Sequence, residues 1–215
     1  MRRHVTLAAV VCAVLLASWA LVGCAQDDAG ATSGTSGQPP TAATSGSSGQ
    51  SGPGAYAAKE FVDLVTSKAV SWASDARPYK MESGRPGQDP SIAEGVSGLW
   101  RVWFASASKK QMSVFYLQDG QPAMYPEGGG GGFSYETPGL SDVWKIDSVD
   151  AVRIAKETGI AEVKSMSLYD TRAEFVTKAR EVPESCAAYW DVYGPGADGL
   201  DTHVYVDAAT GAVYK

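Results

Sequence analysis

Few side chains in this sequence carry the chemistry of an active site, and their spacing limits what they can do. Cys186 and His203 could in principle pair as nucleophile and base. Cys186 precedes one strand-like stretch and His203 lies within another, and structural roles explain both. Asp198, Asp201 and Asp207 could attract a cation weakly, but they lack the spacing and the Gly and Glu of a calcium loop, so a solvated hairpin loop is the better reading. Gly95-Val96-Ser97-Gly98 lacks the spacing of a nucleophile elbow. The run Gly128 to Gly132 leads into Phe133-Ser134 rather than Lys-Ser/Thr, so it cannot cradle phosphate as a P-loop does. Neither His-Glu-x-x-His nor Cys-x-x-Cys occurs. No catalytic residue, metal-ligand set or cofactor motif emerges, and the chain reads as a binding module rather than an enzyme.

One cysteine does have a chemistry written around it. Met1-Arg2-Arg3-His4 is a short basic start, and Val5 to Val22 is almost wholly apolar. A run of that length could span a bilayer as an uncleaved anchor. Leu21-Val22-Gly23-Cys24 favours a different fate, because it resembles the lipobox of bacterial lipoproteins. The resemblance implies that residues 1–23 are a signal peptide, that cleavage precedes Cys24, and that Cys24 carries a lipid such as palmitate on its sulfur. The mature chain would then be extracytoplasmic and anchored to a bacterial membrane. Cleavage removes Arg2 and Arg3 from the 18 basic residues and none of the 24 acidic ones, leaving a net charge of −8. Cys186 becomes the sole free thiol and His203 the sole histidine, so an intrachain disulfide is excluded and the fold must rest on its hydrophobic core.

The full chain has 215 residues, 44 % of them hydrophobic, with a net charge of −6. That composition suits a globular protein, and the acidic balance without clustered Lys or Arg argues against a nucleic-acid partner. Residues 24–54 are rich in Gly, Ser, Thr, Ala and Gln with scattered prolines, have nothing to bury, and read as a disordered tether. Such a tether has an r.m.s. span of roughly 30 Å, enough to let the folded part range above the membrane.

The rest reads as one unit written twice. A shift of 90 residues lays Leu99-Trp100-Arg101-Val102-Trp103 over Tyr189-Trp190-Asp191-Val192-Tyr193, and Val114 to Leu117 over Val204 to Asp207. Each unit predicts a helix followed by antiparallel strands, giving an α+β fold with units at 55–127 and 142–215 and a glycine-rich linker at 128–141. The first helix is expected over Ala57–Ala73 with Phe61, Leu64, Val65 and Ala69 inward. Strands follow at Leu99–Ala105 and Met112–Leu117, and the prolines at 78, 86 and 90 mark loops. The second helix starts at Asp147 as N-cap and stops at Gly159 in the C′ position. Strands are expected over Val163–Tyr169, Ala188–Tyr193, Thr202–Asp207 and Ala212–Lys215, and residues 172–182 are open between helix and strand.

The second unit is similar to the PepSY domain. The likeness rests on the helix Asp147–Gly159, the strands that follow, and the closing Val204-Tyr205-Val206-Asp207-Ala208-Ala209-Thr210-Gly211-Ala212-Val213 hairpin. The first unit departs from that pattern, having Leu117-Gln118-Asp119-Gly120 in place of the Asp-Ala-x-Thr-Gly segment. PepSY domains occur in propeptides of secreted peptidases and in bacterial envelope proteins. The resemblance implies binding or inhibition of a secreted or envelope hydrolase. A second reading is a structural or ligand-sensing lipoprotein that holds a glycan or a small hydrophobic ligand.

Strand alternation places the candidate recognition residues. Trp100, Val102, Trp190 and Val192 face the helices, as do Val114, Tyr116, Val204 and Val206. Trp103, Phe115, Tyr189, Tyr193 and Tyr205 then point to the opposite, open face. Pairing Trp103 with Phe115 centres one hairpin at residue 109, and pairing Tyr193 with Tyr205 centres the other at 199, both in turn-forming stretches. These rings either stabilise the sheet or form the surface that meets a partner.

Overall fold

The computed structural model describes residues 54–83, 92–128 and 133–215. The expected signal peptide, Cys24, the tether as far as residue 53 and the glycines at 129–132 lie outside the described residues. In chain order the elements are α1 (Ala58–Trp72), β1 (Arg77–Ser83), β2 (Ile92–Ala93), β3 (Val96–Ser97), β4 (Trp100–Ser106), β5 (Gln111–Gln118) and β6 (Gln121–Gly128). A 3-10 turn at Leu140–Asp142 then leads to α2 (Ser148–Glu157), β7 (Ser165–Asp170), β8 (Ala188–Pro195), β9 (Asp201–Asp207) and β10 (Val213–Tyr214). Eight strands form one antiparallel sheet in the order β10-β9-β8-β7-β1-β4-β5-β6, and β2 and β3 form a separate two-stranded ribbon. The fold is therefore α+β and mostly sheet. No helix among the described residues is long and apolar enough to cross a membrane.

Both helices pack on one face of the sheet. Phe61, Val65 and Ala69 of α1 and Ala151, Val152 and Ala155 of α2 share a core with Met81, Val102, Phe104, Leu168, Trp190 and Val206. Leu64 was expected inward but is 41 % exposed, because it lies about 100° round the helix from Val65, off the stripe set by Ala58, Phe61, Val65 and Ala69. Helix α2 ends as its sequence requires. Gly159 takes φ +120, its N–H donates to Lys156 O, and Ile160 N–H donates to Ala155 O, the paired bonds of a Schellman cap.

The two helix starts are tied together. Ala57 offers α1 no capping side chain. Ala58 N–H instead donates to Ser148 Oγ at 2.9 Å and Lys59 N–H to Asp147 Oδ1 at 3.2 Å, while the same Asp147 oxygen accepts Ser148 N–H at 2.7 Å. One carboxylate thus serves the first turns of both helices. Gly95, at φ +85, lets the β2–β3 ribbon lie against this junction; a Cβ there would sit 2.5 Å from Ser148 O.

Two strands of the eight-stranded sheet, and both strands of the β2–β3 ribbon, are absent from the sequence expectation. Strand β1 begins with Arg77-Pro78, and a bulge between Pro78 and Lys80 accommodates the proline and sets Tyr79 and Lys80 together opposite Trp103. Strand β6 follows a two-residue turn whose Asp119 and Gly120 take φ +52 and +74, the signature of a type I′ hairpin. Residues 172–182 are neither helix nor strand. The expected linker is packed rather than free where it is described, since Tyr135 and Leu140 are buried.

The register of the first hairpin overturns part of the face assignment. Val102 pairs with Phe115 and Trp103 with Val114. Phe115 is therefore on the helix face, fully buried against Phe104 and Trp72, whereas Val114 and Tyr116 point to the other side. In the second hairpin Val192 pairs with Val204, so the matching strand positions are one residue farther apart in the first hairpin than in the second. A gap-free 90-residue overlay misses that extra residue and flips every side chain of β5. Tyr193 pairs with His203 rather than Tyr205; a slip of two residues keeps the face.

Candidate binding face

The face turned away from the helices carries odd-numbered residues of β8 and β9 and their counterparts on β1, β4 and β7. An irregular strap, residues 171–187, crosses part of it. The strap is fixed at its start by Arg172, whose guanidinium donates to both oxygens of buried Asp170 at 2.8 and 2.9 Å and to Gly139 O at 2.7 Å. Thr171 Oγ1 donates to Cys186 O at its other end, and Ala179 N–H to the Tyr189 hydroxyl in the middle. Ala173, Phe175 and Val176 cover Tyr79, Trp103 and Val114, while Val182 and Cys186 cover Tyr189.

The open face is therefore half closed. Trp103 is 6 % exposed and Tyr189 2 %, and each belongs to a smaller core of its own under the strap. Tyr193 and Tyr205 are half-buried and His203 between them is exposed. Of the five residues expected on the open face, four lie on it and two of those present rings beyond the strap; Phe115 is on the other side.

Rings and cations run in contact across five strands. Tyr193 and His203 have centroids 4.8 Å apart, His203 stacks on Tyr205 at 5.9 Å and 16°, Tyr205 meets Tyr189 at 5.7 Å, and Tyr189 meets Tyr169 at 5.4 Å. Lys80 Nζ then lies 5.4 Å from the Tyr169 centroid and 4.6 Å from that of Trp103, and the Arg101 guanidinium is 5.0 Å from Trp103. Glu82 joins the two cations, at 2.6 Å from Lys80 and 2.9 Å from Arg101. Of this row, Lys80, Arg101, Tyr169 and His203 were absent from the residues expected to meet a partner. The alternation Ser165-Met166-Ser167-Leu168-Tyr169 and the spacing of Arg101 and Trp103 held the signal for several of them.

Between strap and sheet lies a cleft of about 540 Å³, lined by Trp103, Tyr169, Tyr189, Phe175, Lys80 and Asp191 among others. Burial pushes the Asp191 carboxyl up from its usual range, against the pull of His203, whose Nδ1 is 2.7 Å from Asp191 Oδ1. With Asp191 ionised the carboxylate can only accept, and Nδ1 then carries the proton of that bond. Burial also pushes the hydroxyls of Tyr189 and Tyr205 up to about 12, so both stay neutral. Tyr193 is raised chiefly by donating to Asp201, at 2.8 Å.

The groups that could have done chemistry are held apart. Cys186 donates to Ala188 O at 3.2 Å and its thiol is pushed up to about 12 by burial, while His203 is engaged with Asp191. Asp201 binds Lys164 and Tyr193, Asp207 accepts from Ala209 and Thr210 N–H, and Asp198 accepts from Leu200 N–H. Ser97 is buried and accepts Leu99 N–H. Among the described residues no three or more His, Cys, Asp or Glu side chains converge as a metal site. No protein-family model, no curated protein and no solved structure matches the chain.

Proposed function

We propose that this chain is a non-catalytic binding module, lipid-anchored through Cys24 outside a bacterial membrane, that recognises a secreted or envelope protein with the strap-side face of its sheet. The observation that carries this reading is the uneven treatment of one sheet face. The chain covers Trp103 and Tyr189 with its own strap yet leaves the adjoining Tyr169, Tyr193, His203 and Tyr205 in contact with solvent. Large rings with few rotors to freeze are the groups that dominate binding energy when a partner covers them.

The sheet edges offer a partner less. Counting from the closing pair Gln118–Gln121, Pro122 and Pro126 fall at positions of β6 whose backbone turns to the free edge, where each removes a donor. The opposite edge is the two-residue β10. Strand addition is thus discouraged at both ends, which favours recognition through the face.

The tandem PepSY-like reading belongs to the same proposal. In its favour, Ala58 and Ser148 open the two helices 90 residues apart, and Trp100 and Trp190 each donate an indole N–H to a carbonyl 44 residues upstream, Tyr56 and Ile146. A hydrolase is the partner class that the PepSY resemblance implies.

The second reading, a glycan ligand, draws on the way charges on this face engage one another: Lys80 and Arg101 share Glu82, and Lys164 meets Asp201. Capture from a secreted and envelope fraction separates the two. Recovery of one protein that is lost with Tyr193→Ala and Tyr169→Ala but kept with Leu64→Ala supports the proposal. Stoichiometric recovery of glycan without protein, or protein capture indifferent to the face variants, overturns it.

A further inference from the structure

Resting on the reading of this face as the recognition surface, we infer that the cleft under the strap seats one basic side chain, lysine or arginine, of the protein partner. Its walls include the rings of Tyr79, Trp103, Tyr169, Phe175 and Tyr189. Ring faces carry the negative part of an aromatic quadrupole and attract cations most strongly where water is excluded. The chain already exploits this property, since Lys80 Nζ lies 4.6 Å from the Trp103 centroid and 5.4 Å from that of Tyr169.

Charge points the same way. The two lysines of the cleft each reach a carboxylate, Lys80 the Glu82 that Arg101 also binds, at 2.6 Å, and Lys178 Glu184 at 2.8 Å. Among the described residues Asp191 pairs with no lysine or arginine; its partner is the His203 ring, whose Nδ1 lies 2.7 Å from Oδ1. Burial already raises this carboxyl's pKa, with His203 the one group acting to lower it. A cation entering beside Asp191 supplies what the chain does not, and the net charge of −6 assists its approach. The methylene stem of lysine or arginine suits the Met112 and Val176 part of the wall.

The test is an NMR titration of the full chain with N-acetyl-lysinamide and N-acetyl-argininamide, with N-acetyl-norleucinamide as the neutral shape match and the amide of N-acetyl-glutamic acid as the anion. The expected result is saturable shifts at the Trp103 indole and the Tyr169 ring with the two cations only. Asp191→Asn, which keeps an acceptor for His203, weakens them several-fold; Tyr169→Leu weakens them too and serves should Asp191→Asn disturb the spectrum. Equal response to the norleucine or glutamate amide, or no saturation with either cation, overturns the inference. Face-dependent capture of a protein alongside a cleft that binds no cation would refute the basic-side-chain assignment and leave the recognition surface standing.

Discussion

The indole nitrogens of Trp100 and Trp190 donate to Tyr56 O at 2.7 Å and Ile146 O at 2.9 Å, and the two rings lie 6.3 Å apart. Each ring therefore pins the segment leading into one helix to the middle of the sheet, and the two meet where the halves of the chain join. Their polar atoms are satisfied and their bodies fill the core, so they are costly to remove.

Trp100→Ala and Trp190→Ala should each destabilise the fold by about 3–5 kcal/mol through cavity and lost hydrogen bond. Trp103→Ala should fall near the lower end of that range, because the strap buries it. Tyr193→Ala should cost no more than about 1 kcal/mol, since the ring is half-exposed. Urea unfolding of the four variants, followed by tryptophan fluorescence or circular dichroism, gives the ranking.

Ser148→Ala should cost about 1–3 kcal/mol, because it leaves the buried Ala58 N–H without its acceptor. The same junction predicts that residues 54–127 alone do not hold α1 as in the whole chain, having lost Ser148, Asp147 and the β7 partner of β1. The check is the amide NMR dispersion of the fragment, which should be poor beside that of the full chain.

Most of the second half was legible in the sequence, because its signals are local: Asp147 at a helix start, Gly159 at its end, alternating strands and a Thr210-Gly211 turn. Strand β1 was hidden by Pro78, whose bulge is invisible without its partner strand. Strand β6 was hidden by two prolines tolerated only because they sit on a free edge, although Asp119-Gly120 was a hairpin signal. Phe115 was misplaced by a single residue of loop length, since alternation turns a one-residue error into the wrong face. The strap could not be read at all. Its Ala173, Phe175 and Val176 have no period, and only the sheet beneath them explains why they are apolar.

Asp75 is held at about 2 by the Ser108 N–H and the Ser106 hydroxyl, with Ser108's own hydroxyl adding to them. An unfolded aspartate titrates near about 3.9, so the folded state binds fewer protons between the two values. The stabilisation is complete above the unfolded value and is lost as pH falls through about 2. Wild type should therefore exceed Asp75→Asn in stability at neutral pH, and the gap should close under strong acid. Denaturation midpoints across an acid series measure it.

Cys186 should resist alkylation by iodoacetamide in the folded protein at mildly alkaline pH. Its thiol is buried, donates to Ala188 O and is pushed up to about 12, so the thiolate that reacts is scarce. In denaturant it should label readily. Mass spectrometry with and without denaturant reports both states; fast labelling of the folded chain would contradict the placement.

Site-specific photo-crosslinking in living cells, with a benzophenone amino acid placed in turn at Tyr193, Tyr205 and Leu64, shows which face meets a partner. Recognition through the strap-side face predicts one discrete protein adduct from Tyr193 and Tyr205 and none from Leu64, which lies on the outer side of α1. An adduct from Leu64 alone, the same adduct from all three positions, or no protein adduct from the tyrosine positions would contradict it.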